Sequence, residues 1–390
     1  MSKTLYRGAA LADGKSPNLQ VGVSILVEQE RISWIRPADD EAELGRPSEL
    51  EVIDASGTTI VPGLVDAHSH LTLPGGAHWI DRIGDPAESL LEVAEHNGAL
   101  LRSAGIRWAR DVGGPMRDVD GTGPRALPIG VRDRWRSVPH RPHVRTAGTW
   151  IGPGMVLGDN AEVATDGDSL VDAATRQLDH GADLVKLWAE SNEAKPPWSA
   201  SEIARVVEFA HARGAKVTAH ATKLEIAREC VEASVDCIEH GSDLDADLAR
   251  AMAERDIALV STLSVFASIQ TFVRTAAVFE GAGERTAERA ERAAESVRLA
   301  HRAGVRIAAG SDFGGGSTRA NQLAWEVELL VEAGLEPWEA LGAATWRGGE
   351  LLDEPEAGVI RESGPADFVL VHGDPLSDPA CLWRVWRVTW

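Results

Sequence analysis

Eight short apolar or β-rich runs, most of them separated by enough residues for a helix, constrain this chain more than any other feature. They are Ile60–Ala67, Ile106–Val112, His143–Ala147, Asp183–Ala189, Lys216–Ala219, Val235–Glu239, Ile257–Thr262 and Val305–Ser311. Parallel strands need a crossover, usually helical, so the alternation predicts βα units in an α/β fold. Eight such units predict a closed (β/α)8 TIM barrel.

The intervening segments carry helix signals of their own. Ser199 and Glu202 form a capping-box pattern ahead of Ile203, Val206, Val207 and Ala210, which fall on one helical face and stop at Gly214. The stretch from Asn321 to Gly334 repeats this with Leu323, Val327, Leu330 and Val331, and Pro337 suits the first turn of the next helix. The Ala/Glu/Arg-biased stretch 282–303 reads as a solvated helix face. Val21–Glu28, Arg31–Ile35 and Glu51–Asp54 at one end, and Asp367–His372 and Val385–Val388 at the other, read as short strands. The predicted organisation is a small composite β-sandwich from residues 1–58 and 355–390 beside a barrel spanning 59–354.

Charge narrows the partners. With 39 basic against 60 acidic residues the formal charge is −21, which disfavours nucleic acid and anionic membrane. The first residues lack the apolar core of a signal peptide, and no apolar run approaches the ~20 residues of a membrane span. A cytoplasmic protein acting on a small molecule is expected, with homo-oligomerisation left open. Cys230, Cys237 and Cys381 are too few and too irregular for a disulfide framework or a thiolate metal site.

The chemistry is carried by residues at the ends of the predicted strands. Val61-Pro-Gly-Leu-Val-Asp-Ala-His68-Ser-His70 places two histidines two apart after the first barrel strand, on one side of an extended backbone. The pair alone is weak, because about 0.4 such pairs arise by chance at this histidine content. Position strengthens it. Lys186, His220, His240 and Asp312 also fall at strand ends, the C-terminal ends of barrel strands share one mouth, and five strands thus converge. Singly, each has an ordinary reading as a solvated cation, a turn carboxylate or a satisfied histidine.

These contexts, together with the Arg110-Asp-Val-Gly-Gly114 turn, Ile238-Glu-His-Gly241 and the tail Ala366-Asp-Phe-Val-Leu-Val-His-Gly-Asp-Pro375, resemble the amidohydrolase superfamily. The nearest branch in kind holds imidazolonepropionase-related enzymes and metal-dependent Xaa-Pro or Xaa-Arg dipeptidases. The resemblance implies that His68 and His70 bind one divalent ion, His220 and His240 a second, that Lys186 bridges them as N6-carboxylysine, and that Asp312 completes the first site. Zinc is the foremost expectation, with Mn, Co or Fe also compatible with such donors. Two divalent cations against one carbamate, one aspartate and one hydroxide leave about +1, which favours an oxyanion and ionises a bridging water. Asp312, Lys186 and His240 are then the catalytic set, with Asp312 shuttling the proton.

The reaction expected is hydrolysis of an amide-type C–N bond, with ester, lactone or phosphotriester cleavage and dipeptidase activity as alternatives. A mononuclear deaminase is disfavoured because Lys186 is present and Lys223 stands three residues after His220, where those relatives carry glutamate. A catalytically silent scaffold is disfavoured by the complete ligand set. The substrate groups depart from the dipeptidase pattern: Thr149-Trp150-Ile151-Gly152-Pro153-Gly154 replaces a Gly-Gly-His loop, Thr222 stands where a tyrosine is usual, and Tyr6 is the sole tyrosine. Trp79, Trp150, Trp188, Trp198 and Phe313, with Lys223 and Arg319 as polar anchors, instead point to an apolar or aromatic small molecule; His143, near a predicted mouth loop, joins the candidates.

Overall fold

A computed structural model describes residues 3–40, 50–138, 140–154, 158–190, 196–273, 275–276 and 283–390. The expected domain segments 1–58 and 59–354 therefore include stretches outside the described residues, 41–49 and 191–195 among them.

The first five strands are β1 (Lys3–Leu11), β2 (Gln20–Glu28), β3 (Arg31–Pro37), β4 (Leu50–Asp54) and β5 (Thr58–Pro62). They join β18 (Phe368–His372) and β19 (Val385–Val388) from the other terminus in one seven-stranded sheet. The sheet branches at β1, whose first half pairs with β4 and whose end pairs with β5. Sequence patterning missed β1, the central member. Its pairing with β2 shifts register between Tyr6 and Ala9, and such an irregularity breaks the two-residue alternation that marks a strand. Tyr6, Ile25, Ile60, Phe368 and Leu370 form a small core on this sheet, with the rings of Tyr6 and Phe368 edge-on at 5.0 Å.

The predicted run Ile60–Ala67 divides at Gly63 between this sheet and the parallel strands that follow. A Cβ at Gly63 would lie 2.8 Å from the Arg107 Cβ and 3.2 Å from the Asp367 carbonyl oxygen, so the crossing point accepts no side chain without movement. Next come β6 (Leu64–Ser69), β7 (Ile106–Asp111), the short β8 (Met116–Arg117) and β9 (Arg125–Ala126), then β10 (His143–Thr146), β11 (Trp150–Gly152) and β12 (Glu162–Val163). The series ends with β13 (Leu184–Trp188), β14 (Lys216–Ala221), β15 (Cys237–His240), β16 (Ala258–Val260) and β17 (Ile307–Ala308). β8 and β9 pair only with each other, as a small antiparallel ribbon.

The parallel strands form two sheets, β10-β7-β6 and β12-β11-β13-β14-β15-β16-β17. Isolated backbone hydrogen bonds link the two sheets: Ala67 N–H to Ala309 O at 2.9 Å, Asp312 N–H to His68 O at 2.8 Å, and Asp183 N–H to Thr146 O at 2.7 Å. Helices cover the outer faces of these strands, which explains why they read as apolar runs rather than alternating ones; every residue of Leu64–Ser69 is buried. The helix Ala200–His211 buries Ile203, Val206, Val207 and Ala210 as its periodicity predicted, and Glu202 Oε2 accepts the Ser199 N–H at 2.9 Å. In Gly283–Ala303 only Ala293, Ser296, Val297 and Ala300 are buried, the solvated face expected. No helix among the described residues is long and apolar enough to cross a membrane.

Candidate metal centre

His68 lies in β6 and His70 just beyond its end, and their rings meet edge-on at 5.3 Å. Each is held at Nδ1. His68 Nδ1 lies 2.6 Å from Glu239 Oε2, and His70 Nδ1 lies 2.6 Å from the Gly113 carbonyl oxygen. An imidazole that donates through Nδ1 keeps a lone pair on Nε2, the arrangement in which histidine ligates metal. Both Nε2 atoms face Asp312 Oδ1, at 3.4 Å from His68 and 3.2 Å from His70.

The other candidates arrive from neighbouring parallel strands. In the β13–β14 ladder Trp188 is opposite His220, and in the next ladder Ala221 is opposite His240. His240 Nδ1 pairs with Thr262 Oγ1 at 2.7 Å. The turn bearing Thr262 is clamped by the buried Glu326 carboxylate, which accepts the Leu263 and Ser264 N–H groups at 2.9 and 2.7 Å. His240, Thr262 and Asp312 all have left-handed backbones, with φ of 68°, 49° and 49°. Such conformations cost non-glycine residues about 1–3 kcal/mol each and persist where surrounding contacts enforce them.

Ligand atoms of His68, His240 and Asp312 lie within 4.8 Å of one another. His70 borders this group through Asp312, and His220 through His240, whose ring centroid is 4.4 Å away. Lys186 is 1% exposed, and its Nζ has no hydrogen-bond partner among the described residues. Four imidazoles, a carboxylate and an unpartnered buried amine fit a divalent-metal site better than they fit a packed core, because a core would leave that amine unpaired at high cost.

Burial sets the protonation states. It draws His68 down to about 4, with the Lys186 charge adding to the effect, and it draws His220 and His240 well below the usual range. The rings are therefore neutral near pH 7, the form that binds metal. The contact between His68 and Glu239 is accordingly a hydrogen bond from a neutral ring to an anion. Burial also lowers Lys186 to about 8, with Glu239 and Asp312 opposing and Arg110 assisting. Burial works against ionised Glu239, but Arg110, Lys186 and His68 outweigh it and hold the carboxyl well below its ordinary value.

The expected substrate residues divide. Trp188 stacks on His220 at 4.2 Å and 11°, and the Trp150 ring lies 5.4 Å from that of His70. The indole N–H groups of both are buried without a partner among the described residues. Lys223 Nζ lies 3.5 Å from Glu190 Oε2, and Arg319 donates to the Pro74 and Gly75 carbonyls at 2.8 and 3.1 Å. Trp79 is half-buried against the cluster that contains Trp150.

One expectation is corrected, that for His143, while Phe313 and Trp198 lie deeper than a mouth loop would place them. Phe313 has no exposed surface and belongs to the main core. Trp198 is buried with its indole N–H donating to the Ala164 carbonyl at 3.2 Å. His143 opens β10, opposite Trp108 in the β7 ladder, and so lies at the strand end away from the ligands, its ring 4.6 Å from that of Trp108. Sequence distance to a mouth loop misled there, since a strand has two ends and only one reaches the mouth. Conversely, Glu239, Arg110, Thr262 and Glu326 escaped the sequence reading. Charges inside the short apolar strands Ile106–Asp111 and Cys237–His240 were the available signal for the first two.

Comparison with known proteins gives a consistent result. The amidohydrolase family profile matches residues 59–388. An uncharacterized protein of Mycobacterium tuberculosis is 30% identical over 331 residues, 84% of this chain and 82% of that protein. The imidazolonepropionase of Mycolicibacterium smegmatis is 25% identical over 368 residues, covering 89% and 84% of the two chains. The crystal structure of a Xaa-Pro dipeptidase with methionine in its active site superposes with a TM-score of 0.84 at 24% identity, over 99% of this chain and 98% of that one, a likeness of fold.

Proposed function

This chain belongs to the amidohydrolase family, and from that premise we propose that it is a binuclear metal-dependent hydrolase cleaving an amide-type C–N bond in a small apolar or aromatic molecule. The observation that carries the reading is the convergence of His68, His240 and Asp312 beside a buried, unpartnered Lys186 amine. The scaffold is read as a (β/α)8 barrel over residues 59–354, a reading that the hydrogen bonds between the two parallel sheets support, with residues 1–58 and 355–390 read as a composite β-sandwich built on the seven-stranded sheet.

His68, His70 and Asp312 would hold one divalent ion and His220 and His240 the other, with Lys186 carboxylated on Nζ between them. When bound, such ions lower the pKa of a shared water and polarise the scissile carbonyl. Lys186 meets the chemical requirement for carboxylation: its depressed pKa leaves uncharged amine available near neutral pH, and a carbamate anion between cations replaces an ammonium that they would repel. Asp312 orients the attacking water, accepts its proton at a carboxylate oxygen and returns it to the leaving nitrogen. The His240 ring, fixed by Thr262, keeps its geometry as charge develops on the substrate oxygen.

The substrate class follows from what surrounds these groups. Trp150 and Trp188 flank His70 and His220, Glu190 offsets Lys223, and Arg319 is tied to backbone carbonyls. No carboxylate clamp of the dipeptidase kind is evident among these described residues, which favours neutral substrates over free dipeptides. The test is one panel of N-acyl amino acids, dipeptides, aryl amides, carbamates, lactones and phosphotriesters with zinc-loaded enzyme. Aryl amides or carbamates should give the highest kcat/KM. Dipeptides ahead by about 100-fold, roughly 2.7 kcal/mol, would refute the substrate reading, and lactones or phosphotriesters ahead by that margin would refute the C–N assignment.

A further inference from the structure

Glu239 lies one residue before a candidate ligand, yet it stands outside the group whose ligand atoms converge. It is fully buried. Its Oε2 meets His68 Nδ1 at 2.6 Å, while Oε1 accepts from Arg110 Nη2 at 2.5 Å and from Thr218 Oγ1. Arg110 is itself 3% exposed and donates through Nε to the Ala67 carbonyl at 2.6 Å. One guanidinium therefore fixes both the peptide entering His68 and the carboxylate beyond its ring.

We propose that Glu239, oriented by Arg110 and Thr218, is a positioning residue that holds the His68 imidazole in its Nδ1–H tautomer, so that Nε2 is presented to the metal. The inference rests on the metal-hydrolase reading and extends it to a residue that reading does not use. Two further contacts restrict the His68 backbone: its N–H donates to Asp66 Oδ1 at 3.2 Å, with Asp66 in turn anchored by Ser311 Oγ at 2.5 Å, and its carbonyl accepts the Asp312 N–H at 2.8 Å. With the main chain so constrained, ring orientation is the freedom left, and the Glu239 hydrogen bond removes it. Outer partners of this kind are typically worth 10–100-fold in metal affinity.

A competing role for Glu239 is to neutralise buried Arg110, whose unpaired charge would be costly. Two double variants separate the roles, since each removes both charges and only one keeps a hydrogen-bond acceptor. Arg110→Met/Glu239→Gln retains an acceptor for His68; Arg110→Met/Glu239→Leu does not. In zinc competition against a chromophoric chelator, the Leu variant should hold zinc about tenfold or more weaker than the Gln variant, with both showing wild-type circular dichroism. Equal zinc retention in the two folded variants would overturn the inference. If neither folds, the zinc-loaded wild-type chain labelled with ¹⁵N-histidine decides: a protonated Nδ1 on His68, assigned by its loss in His68→Gln, supports the role, and a protonated Nε2 overturns it. A wild-type chain that retains no zinc would instead overturn the metal-hydrolase reading.

Discussion

Lys186 has surroundings that an ordinary lysine would not tolerate. Its amine is buried and unpartnered among the described residues, and only a change of chemical form or a counter-ion makes that placement inexpensive. Lys186→Ala should therefore reduce bound metal below two ions per chain and abolish most turnover, while added short-chain carboxylates restore part of both; elemental analysis and rate measurements read this directly. Asp312→Asn preserves size and backbone but cannot accept the proton, so kcat should fall about 100-fold with the circular dichroism unchanged. His143 yields a prediction about stability. Burial first, then the Arg107 charge, lower its pKa to about 4 from the ordinary 6.5. The unfolded chain thus takes up a proton that the folded chain refuses. The contribution is present above pH 6.5 and is lost as pH falls towards 4, by about 2 kcal/mol once partial exposure is discounted. His143→Phe should flatten the pH dependence of Tm over that window, and an unchanged slope would remove His143 from the account.

Strands deliver the candidate ligands, and hydrogen bonds from the turns after them fix the His70 and His240 rings. Sequence patterning located seven of the runs close to the observed parallel strands and erred at Ile60–Ala67, where two strands of different sheets abut at Gly63. Nothing local distinguishes such a junction, because both pieces are apolar and buried. The last parallel strand shows how tightly its end is fitted: a Cβ on Gly310 would lie 2.5 Å from Val260 Cγ1, 2.6 Å from His68 Cβ and 2.8 Å from the His68 nitrogen. Gly310→Ala should consequently destabilise the fold by about 1–3 kcal/mol through overpacking and weaken metal retention by displacing His68. Denaturant unfolding and metal analysis of the folded fraction would show both, and a neutral substitution would mean that the two strand ends can separate at no cost.

Across the chain, metal and fold should be linked. The proposed ligands on β6, β13, β14 and β15, near the end of β6 and in the turn after β17 are scattered in an unfolded chain, so any ions they hold would bind the native state preferentially. Free metal at 100–1,000 times its Kd adds about 2.7–4.1 kcal/mol to stability. Chelation should therefore lower Tm in a way that added zinc reverses, with the midpoint rising with metal concentration; identical Tm with and without chelator would contradict a site assembled from separate strands.

The sequence alone determined what local chemistry can encode: apolar runs at helix-length spacing, a helix with Ser199 as its cap and Glu202 completing the capping box, and chemically special residues at strand ends. Together with resemblance to a known family, that was enough to propose His68, His70, Lys186, His220, His240 and Asp312, of which the ligand atoms of His68, His240 and Asp312 lie within 4.8 Å of one another. Tertiary structure decided which end of a strand a side chain occupies and what lies behind it. His143 and Trp150 both border strands, yet only Trp150 meets a ligand ring. Phe313 follows Asp312 directly and is fully buried in the main core. Glu239 and Arg110, 129 residues apart, meet behind His68 through pairing that no local pattern records. Burial and hydrogen-bond partners are properties of the folded chain, so the residues that contact the candidate ligands from behind became visible only there.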